Sequence, residues 1–469
     1  MNTEITISNK RDNSRVVTKA IDWKLVVYLF LVIFSPPIIP NLNIIIPVTV
    51  YSLISLTFNY KHTLLKVLKN SIIIQFIKIY ILCYGTTFFL MYMNIVINKE
   101  LFINNFATNI YRMFILTGAL LVCIIYFLVR AEALGYKFND VIRIFVYSFF
   151  LQVGIALLAF FIPSVKSFLL TVMENNTGSD VFYREGLFSY GYTYRYNGFA
   201  GTLLDTFGYG MGLAASVIAV IGFYKSKKYL LWALLLLIPS VLNSRTGLLI
   251  AAIGFVIAFI FSLFKSTPQK VLKQLGGFLV ILLVVGVIFY ITAINSPSTV
   301  GWILDGFESI FDFLTGQEVR AFSTADKLFS DDFWALPETA RGLLFGEGFR
   351  LYGMSEILGI ASDVGYINHI WLAGVIGMVL MYIPFLYLFV SISLSKKYPF
   401  SNAIAAVLTI SYFVMLIKGD IIGYNVGMFV NIFMAFTLTY DYSKNINENN
   451  LSIKKEGSYE QNFNNYSAL

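Results

Sequence analysis

Two short stretches hold the residues best suited to chemistry: YREGLFSYGYTYRYNGFAG at 183–201 and NSRTG at 243–247. Arginine keeps its charge at any physiological pH and offers a flat fork of donors that fits phosphate oxygens two at a time. Arg184, Arg195 and Arg245 each stand where the chain leaves or meets a long apolar run. All three are therefore expected on one side of a membrane, near its outer surface. Fixed positive charge there suits an anionic head group, and a lipid-linked diphosphate is the natural candidate.

Each of these residues also has a plainer explanation. The apolar run before Arg245, about 229–242, is short for a crossing at ~1.5 Å per residue. That draws Asn243-Ser244-Arg245 below the outer surface, where an arginine must face a partner or a wet cavity. The plainer alternative is an arginine snorkelling from a helix end. Tyr190, Tyr192, Tyr194 and Tyr196 alternate along the chain towards and past Arg195. In an extended segment they share one face, ready to stack on sugar rings or to serve as an interfacial aromatic belt. Gly198 and Gly201 permit close helix approach. Arg184 also reads as a solvated loop charge, and Asp205 as a partner for an arginine across the cavity. A third group is Gly346-Glu347-Gly348-Phe349-Arg350, then Asp363-Val364-Gly365-Tyr366, then Gly374-Val375-Ile376-Gly377. Taken singly, these are a turn and a small-residue helix contact.

The elements that must position these residues are apolar helices. Of the 469 residues, 58% are hydrophobic and 13% charged, against about 25% charged in a soluble globule; the mean hydropathy is +0.74. Apolar runs of roughly 20 residues recur from end to end, enough for ~30 Å of hydrocarbon. Within lipid such runs must be helical, because each backbone polar group needs a partner in its own span. The fold class expected is an all-α polytopic membrane protein of about twelve transmembrane helices.

Lysine clusters set the orientation. Lys61, Lys66 and Lys69, then Lys225, Lys227 and Lys228, then Lys265, Lys270 and Lys273, then Lys396 and Lys397 all fall in short loops that alternate to one side. Both termini belong to that cytoplasmic side. The resulting organisation has helices one to five in 1–163, an outer loop at 164–197 and helices six to nine in 198–294. A large outer loop follows at 295–365, helices ten to twelve in 366–440, and a polar, disordered tail at 441–469. The large loop holds eleven acids against four bases, among them Arg341 and Arg350. Its apolar residues Trp302, Leu304, Phe307, Ile310, Phe311 and Leu314 recur at helical spacing, which predicts a helical cap lying on the membrane.

Composition also excludes several classes of function. The net charge of +8 is spread over inter-span loops, not along a stripe, so nucleic acid is no partner. Cys83 and Cys123 both lie in apolar spans, and His62 and His369 are far apart. No metal site and no disulfide framework is expected from them. The chain lacks a phosphate-binding G-x-x-x-x-G-K-[ST] loop, so direct use of ATP is not expected.

Together and in this order, RYNGFAG at 195–201, NSRTGLL at 243–249, LLFGEGF at 343–349 and DVGYINHIWLAGVIG at 363–377 resemble the superfamily of O-antigen polymerases and O-antigen ligases. The resemblance covers roughly 180–390. It implies a membrane fold like that of the C-type glycosyltransferases, with the polymerase subfamily favoured. In ligases a histidine stands eleven residues before the first glycine of the last motif; here that position is Asp363, and His369 is out of register. The resemblance further implies transfer of a growing glycan from polyprenyl diphosphate to the non-reducing end of a second lipid-linked repeat unit. No cofactor is implied, and a chain-length regulator protein is the implied partner besides membrane lipid. On this reading Arg195 and Arg245 hold the diphosphate, with Arg184, Arg341, Arg350 and the tyrosines Tyr192, Tyr194 and Tyr196 binding substrate. Asp363 is the base by register, or else caps the helix that follows it. A ligase and a polysaccharide flippase are the rival readings. A flippase would be expected to show helices interrupted near the membrane midplane.

Overall fold

The computed structural model describes residues 19–39, 42–97, 103–176, 199–200, 204–264, 268–297, 300–301, 304, 308, 315, 331–351, 362–419, 423 and 425–440. The chain is all-α. The first helices are α1 (Trp23–Phe34), α2 (Ile45–Phe58), α3 (Lys61–Leu68), α4 (Ser71–Ile97) and α5 (Ile103–Ile110). α5 passes through a π-helical turn, Tyr111–Leu116, into α6 (Thr117–Ala133), and α7 (Phe138–Phe161) and α8 (Pro163–Asn176) follow. The second half holds α9 (Leu204–Tyr224), α10 (Lys227–Asn243), α11 (Arg245–Leu263) and α12 (Pro268–Asn295). It closes with α13 (Ala340–Phe345), α14 (Gly365–Ser395), α15 (Ser401–Lys418) and α16 (Val426–Thr439). A helix lies at each of the twelve apolar stretches read from the sequence. Among the described residues, seven are long and apolar enough to cross a membrane, and α1, α2 and α16 are shorter apolar helices. The chain is thus a multi-pass helical membrane protein.

Helix boundaries follow local chemistry. The Asp22 side chain caps α1 by accepting from the Lys24 amide, and the helix stops at Ser35 in the left-handed region, just before Pro36 and Pro37. Ser244 caps α11, and Asn425 caps α16 by accepting from the Met428 amide at 2.8 Å. α9 and α16 form the centre. Every described side chain of α16 is buried, as is 94% of the α9 span. A helix apolar on all sides and covered on all sides belongs to the middle of a bundle.

The two ends of the bundle differ. At one end Lys66 pairs with Glu132 at 2.9 Å and Arg130 with Asp22 at 3.6 Å. The Lys19 amine donates to the Leu134 carbonyl at 2.7 Å, and Lys397 donates to the Tyr440 carbonyl. Lys225 donates to Asn139 Oδ1 at 2.7 Å and lies among the rings of Phe138, Tyr398 and Phe400. Burial pushes its amine below lysine's ordinary range. Lys66, Lys225 and Lys397, from three of the clusters singled out in the sequence, therefore share one end of the bundle.

Candidate functional site

The opposite end gathers the starts of α9, α11, α14 and α16. Glycine makes that convergence possible, because backbones touch there with no room for a side chain. A Cβ at Gly208 would stand 2.0 Å from Ser244 Cβ, and one at Gly247 would stand 2.4 Å from the Gly208 carbonyl oxygen. A Cβ at Gly210 would meet Val426 at 2.3 Å. Close approach of this kind is how helices associate in lipid.

The turn Asn243–Arg245 is locked into this contact. Asn243 and Ser244 are fully buried. Asn243 Nδ2 donates to the Pro239 carbonyl at 2.8 Å, and Ser244 Oγ accepts from the Gly247 amide at 3.2 Å. Arg245 is half-buried and is the first residue of α11. A helix start is already the positive end of the backbone dipole, and a cation there is unfavourable unless an anion joins it. α10 spans 17 residues, about 25 Å, less than the ~30 Å of a hydrocarbon core.

The second convergence involves the glycines of the 343–349 and 363–377 stretches. α14 is broken at Gly374, whose φ of 70° and ψ of 179° are not helical. A Cβ there would stand 2.1 Å from the Leu344 carbonyl oxygen, and one at Gly346 (φ 82°) 2.5 Å from the Ala373 amide nitrogen. The break frees the Trp371 carbonyl, and the Glu347 and Gly348 amides donate to it at 2.7 and 3.2 Å. The G-E-G turn and the G-V-I-G glycines, separate features in the sequence, are two halves of one joint.

Ring contacts show how sharp the break is. In a straight helix Tyr366 and Tyr382 would have Cα atoms about 24 Å apart, yet their ring centroids stand 6.0 Å apart. The segment 365–373 therefore folds back over the rest of α14. It joins the end of α15, where a Cβ at Gly365 would meet the Gly419 carbonyl at 2.5 Å. Ile367, Asn368, His369, Leu372 and Ala373 are all buried. His369 Nδ1 shares a 2.8 Å hydrogen bond with Tyr382 Oη across the break, and Asn368 Nδ2 donates to the Ser362 and Val364 carbonyls.

The stretch 331–351 covers this half-helix. Trp371 Nε1 donates to the Ala335 carbonyl at 2.8 Å, and Ser362 Oγ donates to the Phe333 carbonyl at 2.6 Å. Phe349, Leu351, Val364 and Ile367 form a small core of their own, separate from that of the bundle. The cover is pinned to α4 as well. Asn94 Nδ2 donates to the Phe345 carbonyl at 2.7 Å, and Arg341 Nη2 donates to Asn94 Oδ1 at 2.9 Å. Asn94 had no signal in the sequence, being one polar residue in an apolar helix with partners about 250 positions away.

Of the residues singled out from sequence, Arg245, Arg341, Arg350 and Asp363 are described. Arg341 is exposed beyond its bond to Asn94, whereas Arg350 is only 8% exposed, between Phe349 and Leu351, which pack with Val364 and Ile367. Asp363 is half-buried at the start of α14. Val364 holds the N-cap position with no side-chain cap of its own, and Ser362 Oγ accepts from the Val364 amide. Arg184, Tyr192, Tyr194, Arg195 and Tyr196 lie outside the described residues, as do Trp302, Phe307, Ile310, Phe311 and Leu314. Among the described residues, no three His, Cys, Asp or Glu side chains gather as metal ligands.

Arg112 is a residue the sequence reading passed over. It lies in the π-helical turn at the start of α6, against the backbone of Gly423.

Comparison with protein-family models, with characterised proteins and with solved structures finds no match to this chain.

Proposed function

We propose that this protein is a membrane glycosyltransferase that polymerises lipid-linked oligosaccharide repeat units, of the kind found in O-antigen or capsule. It would have about twelve membrane crossings, with the lysine-rich end in the bacterial cytoplasm and the arginine-bearing end facing the periplasm. One observation carries the reading: the NSRTG turn and the joint between LLFGEGF and GVIG lie at the same end of the bundle, the end away from the lysines.

In the proposed reaction an acceptor sugar hydroxyl attacks the anomeric carbon of the growing glycan. A C–O bond forms to that carbon, and the bond from it to the diphosphate oxygen breaks. The diphosphate keeps the electron pair, and the hydroxyl proton passes to Asp363 or to a phosphate oxygen. The ester itself stores the driving force, so the protein has to align two chains and stabilise charge on the leaving group. Arg245 is suited to that second task, with Arg195 and Arg350 as further cations and the tyrosines Tyr192, Tyr194 and Tyr196 as stacking faces for sugar.

Two rivals differ in what they predict. A ligase would pass finished glycan to a different acceptor and form no ladder of repeats by itself. The interrupted α14 is a feature the flippase reading would also use. Its break is level with Asn94 near the end of α4, whereas a transporter's interrupted helices would be expected midway along the bundle. The deciding assay uses purified protein, in nanodiscs, with synthetic lipid-linked repeat units. A ladder is expected from the native protein, with a loss of about 10²-fold or more for Arg245→Ala and a partial loss for Arg245→Lys. Native-like ladders from both variants would remove Arg245 from the mechanism, and absence of any ladder from the native protein would remove polymerisation.

A further inference from the structure

We infer that Arg112 is a second phosphate-binding residue, recognising the diphosphate of the acceptor chain while Arg245 serves that of the donor. The inference rests on the polymerase reading, which needs two polyprenyl diphosphates at the protein at once.

Arg112 is the sixth residue of the apolar span Ala107–Ala133. A charge there is costly, and such residues are functional by default. Its backbone is π-helical from Tyr111 to Leu116, a rare geometry that appears at functional sites. The turn is held as built structure and is not a frayed end. Thr117 Oγ1 donates to the Arg112 carbonyl at 3.2 Å, and Tyr80 Oη donates to the Met113 carbonyl at 2.5 Å. Both carbonyls freed by the wider turn are thus answered by side chains.

Its surroundings set Arg112 apart from the other basic residues. Arg130 and Arg143 at the lysine-rich end face Asp22 and Asp140. Among the described residues no carboxylate stands within ion-pair reach of Arg112, and its side chain is exposed. The neighbouring backbone ties it to the arginine-bearing end. A Cβ at Gly423 would be 3.5 Å from Arg112 Cβ, and Asn425 Nδ2 donates to the Gly423 carbonyl. Val426 then abuts Gly210, two residues along α9 from the Gly208 that receives Ser244. Arg112, on α6, and Arg245, on α11, are therefore linked through the starts of α9 and α16. Two arginines carried by different helices offer one cation to each of two anions. A lipid head-group phosphate would satisfy the same guanidinium, so the experiment must separate the two sources.

The full-length protein in nanodiscs is titrated with polyprenyl diphosphate, once in neutral phosphatidylcholine and once with anionic phosphatidylglycerol added. Two bound molecules per native chain are expected in both lipids. Arg112→Ala and Arg245→Ala should each retain one, and Arg112→Lys should weaken the affected site by roughly ten-fold while keeping its occupancy. In the transfer assay, Arg112→Ala should raise KM for a lipid-linked acceptor by about 10- to 100-fold. It should leave KM unchanged for the same oligosaccharide freed of its lipid diphosphate. Native stoichiometry in Arg112→Ala would overturn the inference, as would an effect confined to anionic nanodiscs, which would make Arg112 a head-group anchor. Failure of the polymerase reading is a separate result: no transfer to either acceptor by the native protein, whatever the stoichiometry.

Discussion

The two ends of the bundle carry similar charges and treat them in opposite ways. At the lysine-rich end each cation described above is tied down: Lys66 to Glu132, Arg130 to Asp22, Arg143 to Asp140, Lys225 to Asn139 and three rings. These contacts close the bundle. At the other end no carboxylate among the described residues pairs with Arg112, Arg245 opens a helix whose dipole opposes it, and Arg341 donates to the neutral amide of Asn94. Charge that is neutralised by the protein organises the protein. Charge held in place with no carboxylate beside it among the described residues, as at Arg112, is available to a ligand.

The comparison can be broken outright by topology. Cysteines placed at 66 and 228 should react only with a reagent added from one side of the membrane, and cysteines at 112 and 341 only with one added from the other. Background is low because Cys83 and Cys123 are both buried. The expected contrast is all-or-none. Reaction of 112 and 66 from the same side would dissolve the distinction between the ends.

A smaller but still large effect is expected at the joint in α14. Gly374→Val puts a branched side chain at φ 70° and drives Cβ to within 2.1 Å of the Leu344 oxygen. The left-handed backbone alone costs on the order of 1–3 kcal/mol, and relief of the clash must lift 343–349 away from Trp371. Protease sensitivity between 331 and 351 should rise, and the melting midpoint in detergent should fall. Gly286→Val, at a glycine with nothing within 4 Å of an added Cβ, is the control. Equal behaviour of the two variants would show that the joint does not hold the cover.

The joint also marks the limit of what the sequence discloses. The helical spans and the burial of Asn243–Ser244 were readable because each follows from hydropathy or length, properties carried by neighbouring residues. The fold-back of α14 was not readable. The run from Gly365 to Ser395 is mostly apolar, and its glycines have the same pattern whether they pack a straight helix or break a bent one. What decides is the pair of amides at Glu347 and Gly348, arriving from a distant part of the chain. The π-turn at Arg112 was hidden for a related reason: an inserted residue leaves an apolar pattern apolar. Asn94 needed both Phe345 and Arg341 before its role could be seen.

The smallest expected effect tests the other side of the comparison. Arg130 pairs with Asp22 at 3.6 Å, with side chains 24% and 22% exposed, and lies 5.2 Å from the Tyr60 ring centroid. A partly exposed ion pair contributes about 0–1 kcal/mol, and a cation over a ring at such a site about 0.5–1 kcal/mol. Arg130→Gln should therefore cost roughly 1–2 kcal/mol of stability, with Arg130→Lys recovering part of it. Because the charge is spent within the protein, transfer per folded molecule should match the native protein in both variants. That is the inverse of Arg245→Ala and Arg112→Ala, which should lose binding or transfer at little cost in melting midpoint. An Arg130→Gln variant that folds normally but transfers poorly would mean that the lysine-rich end takes part in the reaction, and that neutralised charge is no guide to where the substrate binds.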